Sequence, residues 1–150
     1  MKQIFLINII GLIALLSACD TTPNKGSISQ IQARLFTDSL QQVSDAGRQL
    51  QQPLADSLAF ESILKKMDEG LGLAYQVEAA TLDLLHNDLA KRFNRQFIKG
   101  VEEYRIGIEA GDETTQKNGL LLLQQWTSYW QKNRDDIIKT LEDLSHGATR

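Results

Sequence analysis

The sequence predicts an all-α protein, an antiparallel helical bundle of four helices. Two observations lead there. Apolar residues beyond position 27 recur at spacings of three and four, the repeat of one face of a 3.6-residue helix. No extended alternation of β-branched and polar residues is written into the chain, and only 2 Pro interrupt its 150 residues. Helices this long, joined by short loops, pack antiparallel; a three-helix variant results if Pro53 only kinks the chain.

Each element has its own signals. Ser27 or Ser29 can cap a first helix reaching about Gln52. Ile28, Ile31 and Leu35 begin its apolar stripe, and Phe36, Leu40, Val43, Gly47, Leu50 and Leu54 continue it. Pro53 cannot donate a backbone hydrogen bond but suits a first turn, so a second helix starts there. Leu54, Leu58, Ile63, Leu64 and Met67 carry it to Gly70-Leu71-Gly72, where two glycines suggest a helix end. The third helix begins at Leu73 and runs through Val77, Ala80, Leu84, Leu85, Leu89, Phe93, Phe97, Val101, Tyr104 and Ile108. Gly100 and Gly107 each weaken it by about 1 kcal/mol. Gly111 stops it, and Asp112 and Glu113 suit the start of the next. The last helix points Leu120, Leu123, Trp126, Trp130, Ile137, Leu141 and Leu144 inward and ends near Ser145, before Gly147.

Composition removes several classes of function. A net charge of −3 and a pI near 5.4 leave no basic footprint for nucleic acid. One Cys supports neither an internal disulfide nor a Cys-rich zinc site. At 42% hydrophobic residues the chain can bury a core. No Gly-x-Ser-x-Gly elbow occurs, and no glycine-rich phosphate loop follows a strand, so the reading is non-enzymatic.

The amino terminus carries an address. Met1-Lys2-Gln3 supplies one positive charge, and Ile4 to Leu16 is apolar except for Asn8 and Gly11. Thirteen residues fall short of the roughly 20 a spanning helix needs, and match the apolar region of a secretory signal peptide. The run closes on Leu16-Ser17-Ala18-Cys19. That segment resembles the lipobox of bacterial lipoproteins, a resemblance confined to the first 19 residues. It implies cleavage before Cys19, diacylglycerol on its thiol and an acyl chain on the new amino terminus. Several acyl chains make a stable anchor where one does not. Asp20 after the lipidated Cys implies retention in the inner membrane, facing the periplasm. The organisation is then a signal peptide at 1–18, a lipidated Cys with a polar tether at 19–27, the helical bundle at 28–146, and a tail at 147–150. The mature chain carries 15 bases and 19 acids, a net of −4.

Three groups of residues suggest more than packing. Asp83 and His86, and again Asp143 and His146, stand three apart on predicted helices. Di-metal bundles use carboxylate–histidine pairs at that spacing. Asp has a shorter reach than the usual Glu, His146 sits in a terminal turn, and no inward pair of Glu stands out, so the cofactor reading is none beyond the lipid. Haem between Met67 and His86 is weaker still, since no Cys-x-x-Cys-His attachment occurs. Arg92, Arg95 and Lys99, with Lys91, give a stretch where residues 91–110 carry five bases against three acids, while residues 27–90 carry four against nine. Such a face can meet anionic lipid or an acidic partner, or simply pair with Asp88, Glu102 and Glu103 in solvent. Trp126, Tyr129 and Trp130 read first as core and second as a partner anchor. The first helix is rich in uncharged Gln, including Gln41, Gln42 and Gln49.

The functional expectation is a lipid-anchored module that binds another envelope protein, either as an accessory or assembly factor or as an immunity-type inhibitor. The alternative is a metal- or cofactor-binding bundle using His86 and His146, and a third is a bare membrane spacer. Cys19→Ser should leave the chain unprocessed or released from membranes. Unchanged processing and acyl labelling of that variant would refute the anchor.

Overall fold

The computed structural model describes residues 28–51 and 57–146. Among these every regular element is helical: α1 (Gln30–Leu50), α2 (Ser57–Ala74), α3 (Ala79–Leu85), α4 (Leu89–Arg92), a π-helical stretch (Phe93–Ile98), α5 (Lys99–Ala110) and α6 (Glu113–His146). Cys19, Asp20, Pro53, Leu54 and Gly147 lie outside the described residues.

Two antiparallel hairpins make up the architecture. In the first, Ser29 caps α1, its hydroxyl accepting the Gln32 N–H at 3.1 Å. The Gln32 side chain then holds the far end of α2, donating to Gln76 O at 3.2 Å and accepting the Glu78 N–H at 2.8 Å. Further along, α1 and α2 approach closely at Gly70, where a Cβ would fall 2.8 Å from Val43 Cγ2. The two glycines therefore do not end the helix; α2 passes through both to Ala74. Gly70 is there for the neighbouring helix, not for a turn.

In the second hairpin, α5 and α6 meet backbone to backbone. A Cβ on Gly107 would lie 2.7 Å from Gln116 Cα, and one on Gly119 would lie 2.7 Å from Gly100 O and from Tyr104 Cα. Gly100 is nearly as tight, 3.0 Å from Leu123 Cγ. The glycines that cost helix propensity thus permit the closest glycine-mediated helix contact among the described residues. The turn between these helices is a Schellman closure: Asp112 N–H donates to Gly107 O at 2.8 Å and Gly111 N–H to Ile108 O at 3.3 Å, with Gly111 at φ 66°. Asp112 then caps α6. Its carboxylate accepts the Thr115 hydroxyl at 2.7 Å and the Thr114 and Thr115 N–H groups, which hold it below the usual carboxylate range.

Aromatic rings join the hairpins. Phe36 of α1 meets Phe93 edge-on at 5.4 Å and Trp130 at 5.9 Å. Phe93 stacks on Phe97 at 5.0 Å, and both reach Trp126, which stacks on Trp130 at 5.8 Å. Ile63 and Met67 of α2, Leu82 and Leu85 of α3, and Ile137 and Leu141 of α6 complete the buried core.

The predicted third helix is not continuous. It is interrupted at 75–78 and again at 86–88, and Phe93–Ile98 is wound as a π-helix, with the Lys99 N–H bonded five residues back to Asn94 O. The interruptions shift the buried face. Leu84 is half-exposed and Ala80 exposed, whereas Thr81, Leu82 and Leu85 point inward. Ile31 and Leu58, both expected in stripes, are 70% exposed. Each lies in the first turn of its helix, where fewer neighbours reach it.

The glycine contacts make a sharp prediction for urea denaturation of the full chain. Gly119→Ala should destabilise by about 3 kcal/mol, since backbone has to give way. Gly47→Ala, whose methyl meets nothing within 4 Å, should stabilise by about 0.5–1 kcal/mol. The opposite order would refute the backbone contact.

Candidate binding site at the helix break

Between α3 and α4 the chain leaves helical geometry for three residues. His86 is extended, at φ −165° and ψ 144°, and Asp88 adopts the left-handed region at φ 64°. Asp88 is the one described non-glycine residue with positive φ. Asp tolerates this region better than most side chains, because its short polar group bonds locally. The Leu89 N–H returns to His86 O at 3.1 Å, closing the turn, and the Arg92 N–H reaches Asp88 O at 2.9 Å to restart the helix.

The break turns the His86 ring toward α6. His86 Nδ1 lies 2.9 Å from the Tyr129 hydroxyl and 2.7 Å from Asn87 O. The Tyr129 hydroxyl donates to Asn87 O at 3.2 Å, and the two rings meet edge-on at 5.9 Å. Over the Tyr129 ring sits the Arg92 guanidinium, 5.4 Å from its centroid. A cation in that position contributes about 0.5–1 kcal/mol at a partly exposed site. Tyr129 in turn leans on Trp126 at 5.9 Å, which ties the cluster to the core.

Burial pushes the Tyr129 hydroxyl above its ordinary value, Asp88 adds to the rise, and Arg92 opposes it. Tyr129 is therefore a neutral phenol at physiological pH, a hydrogen-bond donor rather than a phenolate nucleophile. Asp88, an exposed carboxylate, acts on it, and the exposed bases Lys91 and Arg95 lie within a turn of Arg92 in the chain. This is equipment for recognition: an aromatic platform, one half-buried guanidinium and two accessible cations.

Three suggestions kept apart in the sequence thus converge here: His86 from the metal-type pairs, Arg92 from the basic stretch and Tyr129 from the aromatic group. Others go elsewhere. Lys99 pairs with Glu103 at 3.6 Å and Glu102 accepts the Tyr75 hydroxyl. Trp126 and Trp130 are buried at 1% and 6% exposure, so of the aromatic trio only Tyr129 reaches the surface. Met67 belongs to the core. Asp83 and Asp143 are exposed, and the His146 side chain lies outside the described residues. Tyr129, which His86 touches, is separated from His146 by about 25 Å of helix axis, so the two Asp–His pairs do not converge. Among the described residues no three His, Cys, Asp or Glu side chains gather as a metal-binding group. The sequence reading passes over Asn87 and takes Asp88 only as a pairing carboxylate for the basic stretch, although Asn-Asp is a dipeptide that favours turns and left-handed backbone.

Scans of protein-family models, curated proteins and solved structures return no match to this chain.

The raised Tyr129 ionisation has a stability consequence. Its neutral form is favoured by folding, so its contribution is complete below the unfolded value near pH 10 and is lost as pH rises through the folded one. Tyr129→Phe should flatten the alkaline loss of stability followed by circular dichroism above about pH 10. A variant as alkali-sensitive as the parent would show that Tyr129 is not held neutral by its surroundings.

Proposed function

We propose that this chain is a periplasm-facing lipoprotein whose four long helical segments form a bundle that works by binding another envelope protein, without catalysis. The break between α3 and α4 is its docking face, and its partner presents acidic and polar groups there. The observation that carries the reading is the convergence of His86, Arg92 and Tyr129 on one half-exposed surface. Lys91 and Arg95, within a turn of Arg92 in the chain, are exposed and have no carboxylate partner among the described residues. Accessible Arg and Tyr held by a rigid core are the residue types that anchor protein interfaces.

The anchor supports the same reading. Cys19, in its lipobox setting, ties the module to the inner membrane, with Asp20 as the retention residue. Among the described residues no helix is long and apolar enough to cross a bilayer. A short tether of residues 20–27 keeps the bundle near the headgroups and confines its encounters to proteins at that surface. Holding, inhibiting or positioning such a protein are the roles that fit, as an accessory factor or an immunity-type inhibitor.

A photo-crosslinking residue at position 95 of the full-length chain, activated in cells, should yield one reproducible adduct. Lys91→Glu with Arg92→Glu should abolish it while leaving the circular dichroism unchanged. An adduct indifferent to both charge reversals, or none above background, would remove the break as a docking face.

A further inference from the structure

About 15 Å along the helical run beyond Arg92, the surface carries a second feature of opposite character. A shallow groove of about 330 Å³ runs between α2 and α5. Leu71 forms its buried floor, and Tyr75 and Ile106, 58% and 52% exposed, form apolar walls. Gly72 leaves one side open, since a Cβ there would meet nothing within 4 Å. Asp68, Glu102 and Arg105 supply the polar atoms.

The charges around the groove do not balance. Arg105 is its one base, and three carboxylates stand about it. Arg105 Nε lies 2.6 Å from Asp68 Oδ1 and Nη1 lies 3.2 Å from Glu109 Oε2. The buried Nε is nevertheless not aligned for a hydrogen bond. The Asp68 and Glu109 side chains remain 51% and 57% exposed, so each carboxylate keeps open lone pairs. Among the described residues Glu102 accepts the Tyr75 hydroxyl and pairs with no base. The walls are apolar and half-exposed while the rim is net acidic, which is the complement of a long aliphatic stem ending in a cation.

We propose that this groove receives an arginine side chain from a partner segment in which apolar residues flank the arginine. The stem lies on Leu71 and Ile106, and the guanidinium sits against the Tyr75 ring between Asp68 and Glu102. Arginine fits better than lysine because its planar fork bonds carboxylates in pairs and stacks on a ring. The chain makes the same kind of pairing internally, with Arg92 over Tyr129 and Arg105 between Asp68 and Glu109. Charge also sorts partners between the two surfaces: a basic segment is repelled from the break, with its Lys91, Arg92 and Arg95, and drawn to the groove. The groove's ligand class does not depend on the break being a docking face.

The test titrates the full-length chain, in zwitterionic detergent micelles, with acetyl-Leu-Arg-Leu-amide and with its citrulline analogue. Citrulline keeps the shape of arginine without its charge. Saturable shifts of the Tyr75 and Ile106 resonances are expected with the arginine peptide, and binding about ten-fold weaker with citrulline. Glu102→Gln should weaken the arginine peptide about three- to five-fold and leave the citrulline peptide unaffected. Asp68→Asn, at a half-exposed carboxylate, serves the same purpose if Glu102→Gln disturbs the fold. Equal binding of the two peptides would reduce the site to an apolar groove and overturn the proposal. Shifts at Tyr129 and His86 instead, or no saturable shift at all, would overturn it as well.

Discussion

The rest of the structure depends on the backbone contact between α5 and α6. Where Gly107 faces Gln116 and Gly119 faces Tyr104, no side chain intervenes, so the two helices can neither slide nor rotate without collision. A slip of one residue would move α6 by about 1.5 Å and turn it by about 100°. That register sets the pairings further along. Gln96 donates to Gln125 at 3.2 Å, Phe93 and Phe97 face Trp126, and Asn87 meets Tyr129. The candidate docking face is thus placed by glycines about 15 to 22 Å along the helices from it, through a rigid helical hairpin rather than through its own loop.

Irregular geometry gathers at the other end of that hairpin. Asp88 is left-handed, residues 93–98 are unwound into a wider π-helix, and two buried polar atoms, Gln96 Oε1 and Trp126 Nε1, have no hydrogen-bond partner among the described residues. An unpaired buried polar group costs about 1–3 kcal/mol. Such costs persist only where the surroundings over-determine the local structure, and they concentrate at sites with a task other than folding. The aromatic cluster supplies the over-determination. Phe36 from one hairpin and Phe93, Trp126 and Trp130 from the other interlock, so a segment that would be poor in isolation is fixed by its neighbours.

Much of this was legible in the sequence, and what was not has a physical reason. The inward positions of α6 followed from their spacing: Leu123, Trp126, Trp130, Ile137 and Leu141 are all buried, in a helix that nothing interrupts. Ser29 and Gly111 act as the cap and the stop their chemistry suggests. The breaks in the third helix escape the sequence reading because period alone cannot register an interruption of three or four residues. Leu85 and Leu89 keep a four-residue spacing straight across the break. Gly70 and Gly119 were opaque for a different reason: a glycine that permits close approach and one that ends a helix look alike without the partner helix. Asn118-Gly119 even forms a dipeptide favoured in hairpin turns, yet it lies within α6 because Gly119 is needed against Tyr104. The site was legible only as fragments. His86, Arg92 and Tyr129 each stood out, but their meeting depends on a hairpin register that single-helix periodicity does not contain.

The stacked tryptophans carry a practical corollary. The chain has two Trp, and both belong to one pair, 5.8 Å apart and 22° from parallel, where the hairpins join. Almost all of the protein's native ultraviolet emission therefore originates from a single point. That point is coupled through Tyr129 to the break and through Phe36 to α1, whereas among the described residues none of its ring contacts reaches Tyr75 in the groove. Intrinsic fluorescence is thus a built-in optical gauge, sensitive to separation of the hairpins and to occupancy of one surface, and dark to the other.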